Sequence, residues 1–163
     1  MLNRISKLAS ESGLLYGITT TNEYGKNTEL NEKYSYGKSI ITFAMPIHKG
    51  QQIMASYALD TDYHLVLKEK IELIASSLEL EQYDVCVDNS PISDKLCAYL
   101  SGLGFIGKNS LVITELGSFV MIGELITTLD LPVTSNVDKD CGTCTKCIEA
   151  CPSNAIGDVY NKC

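Results

Sequence analysis

Apolar residues recur at Leu2, Ile5, Leu8 and Ala9, the three- and four-residue spacing of one helix face, and Gly13 stands where such a helix would stop. Leu14 to Thr19 then reads as a strand. Residues 20–36 are rich in Asn, Glu, Thr and Gly and read as a loop whose tyrosines pack over something. Lys38 to Met45 is a continuous apolar run ended by Pro46, the pattern of a buried strand. Residues 47–56 favour neither helix nor strand. From Asp62 to Leu80 the stripe Tyr63, Val66, Leu67, Ile71, Ile74, Ala75 and Leu78, interrupted only by Lys70, predicts a long helix with one core-facing side. Tyr83–Val87 predicts a strand that delivers Asp88-Asn89-Ser90-Pro91 at its end. Ser93 to Ser101 predicts a helix with Leu96, Cys97 and Leu100 on one face, closed by Gly102 and Gly104. Residues 109–114 and 118–122 are β-rich and joined by Glu115-Leu116-Gly117, which predicts a hairpin, with 124–129 continuing its second strand. Strand, helix, strand, then a hairpin, then a cysteine-rich tail suggests an α+β layer of residues 1–133 with a small appendage of residues 134–163.

Length and charge narrow the class. At 163 residues and 45% hydrophobic, the chain can bury one sizeable core. No apolar run reaches the length of a membrane span and the first residues lack a signal-peptide core, so a soluble cytoplasmic protein is expected. A net charge of −7 argues against a broad phosphate-gripping surface. Seven cysteines fit a reducing compartment and metal ligation better than disulfides.

Five of those cysteines lie in the tail. Cys141, Cys144, Cys147 and Cys151-Pro152 have the spacing C-x2-C-x2-C-x3-C-P of bacterial-type [4Fe–4S] ferredoxins. Two-residue gaps let a loop wrap one corner of a cubane, and the proline turns the chain so that the fourth thiolate points elsewhere. Zinc sites usually show two separated pairs, and disulfide frameworks belong to secreted mini-proteins. Two four-cysteine clusters need eight thiolates, and the chain ends on a candidate ligand, Cys163. Either one cluster forms, or a missing C-terminal segment or a partner completes a second; the pattern favours truncation.

Elsewhere the chemistry is less explicit. Residues 102–108 match both G-x-G-x-x-G and G-x4-G-K, but a helix precedes and a strand follows, and Asn109 stands where a magnesium-binding hydroxyl belongs. That argues against a phosphate loop and leaves glycines that let a backbone approach another chain or a flat ligand. Asp62-Tyr63-His64 reads first as helix-start chemistry, with His64 solvated. His48 has no partner in the pattern. Asp88 has two readings: a partly desolvated carboxyl with raised pKa that donates a proton, or a turn residue before Asn89-Ser90-Pro91.

Taken together, three blocks resemble the epoxyqueuosine reductases, cobalamin- and [4Fe–4S]-dependent enzymes of tRNA modification related to reductive dehalogenases. They are Tyr57-Ala58 with Asp62-Tyr63-His64; Val87-Asp88, Ser93-Asp94-Lys95, the run from Gly102 through Lys108-Asn109-Ser110, and Gly117-Ser118 to Gly123-Glu124; and the cysteine run with Cys163. The resemblance covers roughly residues 55–163. It implies a nitroreductase-like α+β domain that holds base-off cobalamin, with a ferredoxin-like module against it. Asp88 falls on the family's proton donor. Asp62 matches a second acidic position near the cofactor, and Lys95 stands where arginine is common, keeping the charge but losing the bidentate fork. Gly107, Lys108, Asn109 and Ser110 would line the corrin or its polar tail. Cys141, Cys144 and Cys147 would share one cluster, and Cys151 and Cys163 another. His64 is not assigned as a cobalt ligand, and Leu67 replaces the glycine of the D-x-H-x-x-G cobalamin pattern. The implied partners are a tRNA substrate and a low-potential donor such as a ferredoxin or flavodoxin. Two other functions fit parts of the chain: an electron-transfer protein, which leaves the Gly-rich loop and Asp88 without roles, and a dehalogenase-like reductase.

Overall fold

The computed structural model describes residues 1–47, 61–135 and 137–157. In chain order its elements are α1 (Leu2–Glu11), β1 (Leu15–Thr20), α2 (Thr21–Asn27), a 3-10 turn (Glu32–Tyr34), β2 (Ser39–Pro46), α3 (Tyr63–Ser77), β3 (Tyr83–Cys86), α4 (Asp94–Leu100), β4 (Gly104–Ile106), β5 (Val112–Thr114), β6 (Val120–Thr127) and α5 (Lys146–Glu149). His48, Tyr57, Ala58 and Cys163 lie outside the described residues, as does most of the ambiguous 47–56 segment.

The main sheet has the order β1-β2-β6-β3, with every neighbouring pair antiparallel. Because β2 and β3 both run antiparallel to β6, they are parallel to each other. The unit β2–α3–β3 is therefore a crossover whose middle position β6 fills. The stripe predicted on α3 is the buried one: Leu67, Ile71, Ile74 and Ala75 pack with Ile5 of α1 and with Ile18, Ile41, Phe43 and Leu125 of the sheet. The opposite face is covered by α2, the 3-10 turn and α4, and joins Tyr24, Tyr34, Ile40, Cys86, Cys97 and Ile126.

Two expectations change. Within the predicted 20–36 loop, residues 21–27 form a helix, started by the Thr20 hydroxyl accepting from Glu23 N–H at 3.0 Å. Its apolar content is hidden in tyrosines: Tyr24 and Tyr34 are 1% and 2% exposed. Further on, β5 does not pair with β6. It pairs with β4, while β6 inserts between β2 and β3, and the Glu115–Gly117 turn closes a single bridge from Thr114 to Gly117. Both faces of β6 are covered, and a strand buried on two sides belongs in the middle of a sheet rather than in an edge hairpin.

The glycines of the rejected phosphate loop have structural work. Gly102 takes φ +68 just past α4, with its N–H on the Tyr99 carbonyl and the Leu103 N–H on the Ala98 carbonyl, so it turns the chain out of the helix. At Gly104 an added Cβ would stand 2.5 Å from the Ile113 oxygen. Only glycine lets β4 lie against β5. After β6 the chain returns to the sheet edge, where the Thr134 hydroxyl accepts from Ile18 N–H at 2.8 Å and Thr134 N–H donates to the Ile18 carbonyl at 3.0 Å. This return places the cysteine segment beside the β4–β5 turn.

Candidate functional site

Strand β3 ends at Cys86, and two residues later Asp88 adopts φ +56, a left-handed conformation that aspartate tolerates better than most residues. The carboxylate is thereby turned out of the sheet toward the start of α3. There Asp62 caps the helix, accepting from His64 N–H at 3.0 Å. The His64 ring stacks on Tyr63 with centroids 4.0 Å apart and bridges two carboxylates, Nδ1 to Asp62 at 2.7 Å and Nε2 to Asp88 Oδ2 at 3.2 Å. The Tyr63 hydroxyl donates to the same Asp88 oxygen. The hydrogen bond to Asp62, then the charge of Asp62 and the contact with Asp88, raise the proton affinity of His64 against a smaller burial effect, while burial and Asp88 push the Tyr63 phenol up. His64 is therefore not merely solvated. It is a link between two acids.

Asp88 is 52% exposed, so the desolvation expected of it is not there. It falls instead on two acids behind it. Asp94, first residue of α4, is pushed up to about 6 by burial and then by the charge of Asp88. Glu124, in the middle of β6, is 0% exposed and is raised well above the carboxylate range by burial, with Asp94 the next cause. Asp88, Asp94 and Lys95 form the polar rim of a cavity of about 160 Å³, whose wall is Leu111, Val112, Val120, Met121 and Ile122. Leu111 and nearby Phe119 are 45% and 41% exposed, so the apolar wall continues to the surface. At about 160 Å³ this cavity takes only an edge of a large flat cofactor, and its apolar wall with a cation and an acid on the rim suits a corrin edge in chemical character.

The Gly107–Ser110 turn sits elsewhere. Gly107 N–H donates to Leu111, Ser110 takes φ +58, and Asn109 Oδ1 accepts from Leu111 N–H, so Asn109 and Ser110 shape the turn. Lys108 spans from it to the cysteine loop. Its N–H lies 3.4 Å from Cys141 Sγ, and its ammonium donates to the carbonyls of Gly142 and Cys144 at 3.0 and 3.1 Å. Gly107, Lys108, Cys141 and Gly142 border a cavity of about 340 Å³. Farther on, Cys151 Sγ receives the Ala155 N–H at 3.4 Å, and the Ser153 hydroxyl, followed by backbone N–H groups, lowers its thiol to about 7.

This donor set fits an iron–sulfur cluster: soft thiols, N–H groups aimed at sulfur, a fixed cation and space beside them. Among the described residues no three His, Cys, Asp or Glu side chains stand together at metal-holding separation, so ligation would draw Cys141, Cys144 and Cys147 inward. Cys86 and Cys97 are buried in the opposite layer and take no part.

With this geometry in place, the comparisons with known proteins are specific. Residues 28–89 match the family described as epoxyqueuosine reductase QueG, DUF1730. The epoxyqueuosine reductase of Leadbetterella byssophila is 36% identical over 83% of this chain and 48% of its own length. The solved epoxyqueuosine reductase of Streptococcus thermophilus superposes with a TM-score of 0.81 at 30% identity, over 96% of this chain and 54% of that one. The chain belongs to the epoxyqueuosine reductase family. It spans about half the length of the curated relatives it matches. An epoxyqueuosine reductase crystallised with a tRNA-Tyr epoxyqueuosine-modified stem loop shares the fold, with a TM-score of 0.77 at 24% identity, over 95% of this chain and 52% of that one. So does a catabolic reductive dehalogenase, with a TM-score of 0.75 at 16% identity, over 95% of this chain and 25% of that one. The α+β layer is thus the epoxyqueuosine reductase fold, and the related dehalogenases share it. Among the described residues, no helix is long and apolar enough to cross a membrane.

The structure brings Asp62 and Asp88 together through His64, sets Lys95 on the same cavity, and gathers Lys108 with Cys141 and Cys144. It does not join these two groups into one lining. Sequence reasoning placed Tyr63 only on a core-facing helix stripe and gave no site role to it, to Asp94 or to Glu124. Glu124 carried a signal: it alternates with Ile122 and Ile126 in a strand covered on both faces, a place for an apolar residue.

Proposed function

We propose that the chain carries the reductase site of an epoxyqueuosine reductase, reducing the epoxide of epoxyqueuosine in tRNA to the alkene of queuosine. The observation that carries this reading is Asp88, held in a left-handed turn by Tyr63 and His64 at the rim of an apolar cavity. Cobalamin, when bound, would supply the reducing centre that opens the epoxide, and [4Fe–4S] clusters would supply its electrons. Overall, two electrons and two protons remove the epoxide oxygen as water. Asp88 delivers a proton to the departing oxygen, and Tyr63 and His64 aim its carboxyl. Asp62 fixes His64. Lys95 would meet an anionic or amide group of the cofactor, and the Gly107–Ser110 turn would meet the corrin's polar tail.

Cys141, Cys144, Cys147 and Cys151 would hold cluster iron in a ferredoxin-like segment, with Cys163 as a further ligand, and Lys108 would steady their loop. A ferredoxin or flavodoxin is the class of donor such clusters accept electrons from, in a cytoplasmic setting. With a net charge of −7, tRNA would be gripped by a local patch rather than by the whole surface. Support comes from the family membership and from the relative crystallised with a modified tRNA stem loop. The test is Asp88→Asn in the cofactor-loaded protein. Turnover is expected to fall roughly 10²–10⁴-fold with cobalamin binding unchanged; near-normal turnover would sink the assignment.

A further inference from the structure

Glu124 is the largest unexplained polar group in the core. Its register neighbours are Thr42 on β2 and Cys86 on β3, and the α4 residues Asp94 and Cys97 and the α2 residue Tyr24 face it from above. As carboxylates, both oxygens of Glu124 and Oδ1 of Asp94 have no hydrogen-bond partner, and Thr42 Oγ1 is also unpaired. Two ionised acids cannot sit side by side in a core at neutral pH without a cation. A proton resolves this. Placed on Glu124 it bonds to Asp94, and a proton on Asp94 bonds to Asp88. The three acids thus step from a fully buried strand position, through a half-buried helix start, to the exposed turn at the cavity.

We infer that Glu124 and Asp94 form a proton-sharing pair that recharges Asp88 from behind, as positioning residues for the reaction assigned above. This rests on the reductase reading. After Asp88 has given up its proton, the O–H bond of Asp94 breaks as a new one forms on Asp88. Asp94 then takes up a proton from bulk solvent, handed on by water in the cavity that Asp94 and Asp88 both border. Glu124 keeps its own proton and donates a hydrogen bond to whichever form Asp94 is in, so the intermediate carboxylate is never left bare. One of the reaction's two protons passes through the pair in each cycle, the other entering from solvent, and no net charge is left in the core.

The test has two readouts on the whole chain. The first is a carbon-13 NMR titration of the carboxyls without cofactor. Glu124 is expected to stay protonated through neutral pH and Asp94 to titrate near 6. An ionised Glu124 at pH 7, or an Asp94 titrating in the ordinary carboxylate range, overturns the proposal. The second is turnover of the loaded protein. Glu124→Gln and Asp94→Asn, each checked for an unchanged melting profile, are expected to slow it roughly ten- to hundredfold. Acetate or imidazole buffer should restore much of the loss, as external proton sources replace the pair, whereas Asp88→Asn should not be restored. A loss that no weak acid repairs would mean a merely structural role and overturn the relay. An unreactive wild-type chain with the titration intact would remove the reductase reading while leaving the carboxyl chain standing.

Discussion

Strand β2 buries seven of its eight residues, whereas α5, in the middle of the cysteine run, buries none. The sheet layer is held by side-chain packing on both faces. The cysteine segment is held by short-range backbone turns, the Thr134–Ile18 contacts and the Lys108 clamp. The first is a scaffold that forms from its own apolar surface, and the second would gain its stability from the proposed ligation, as metal-binding segments commonly do. In the reductase proposed above this division would be useful: the packed layer would set the cavity beside Asp88, and the cysteine segment could settle around a cluster.

The difference can be broken by design. The largest effect is expected at Phe43, which is 0% exposed. Phe43→Ala should cost about 3–5 kcal/mol in urea unfolding, while Cys147→Ala should change the same transition by less than about 0.5 kcal/mol. Equal losses would mean that the two regions fold as one unit. Next comes pH. Asp94 binds its proton more tightly in the folded chain than in the unfolded one, where its value would be near 3.8. Its contribution to stability is thus complete below that value and is lost as pH rises through about 6. The loss amounts to roughly 2–3 kcal/mol for a shift of this size. Glu124 extends the decline to higher pH, and Glu124→Gln should flatten the high-pH end in melting curves; a slope unchanged by the substitution contradicts the buried-acid account.

Gly104→Ala should cost about 1–3 kcal/mol, because the new Cβ meets a backbone oxygen that cannot yield. Since β4 leads into the turn that carries Lys108, this change should also loosen the cysteine loop, visible as faster proteolysis there. Smallest is Lys108→Met. It removes two hydrogen bonds to exposed carbonyls, worth about 1 kcal/mol. A reconstituted cluster should then be lost to chelator several-fold faster with no change in sheet stability; an unchanged rate would dismiss the clamp.

How legible this was in the sequence depended on what each residue was asked to do. The apolar stripe of α3, the buried run of β2 and the glycine stop of α4 follow from periodicity and local sterics, and they appear where expected. The pairing of β5 with β4 was hidden, because a β-rich run does not say which strand it will meet, and the central place of β6 depends on contacts far along the chain. The short helix at 21–27 was masked by polar composition, with Tyr24 providing its anchor. In the site, the cysteine spacing was explicit and Asp88 was recognisable at a strand end. His64 looked solvated because its two acidic partners are 2 and 24 residues away, and only the second needs the fold. Asp94 drew no reading of its own, since its burial comes from the fold and not from its neighbours in the chain.

The most direct test of the central claim is an anaerobic titration of the whole chain with cobalamin, read by the visible spectrum and by the electron paramagnetic resonance of the Co(II) state. A base-off signal with stoichiometric binding, weakened by Leu111→Glu in the cavity wall, is the predicted result. No binding by a folded chain would contradict the account and return Asp88 to the role of a turn residue.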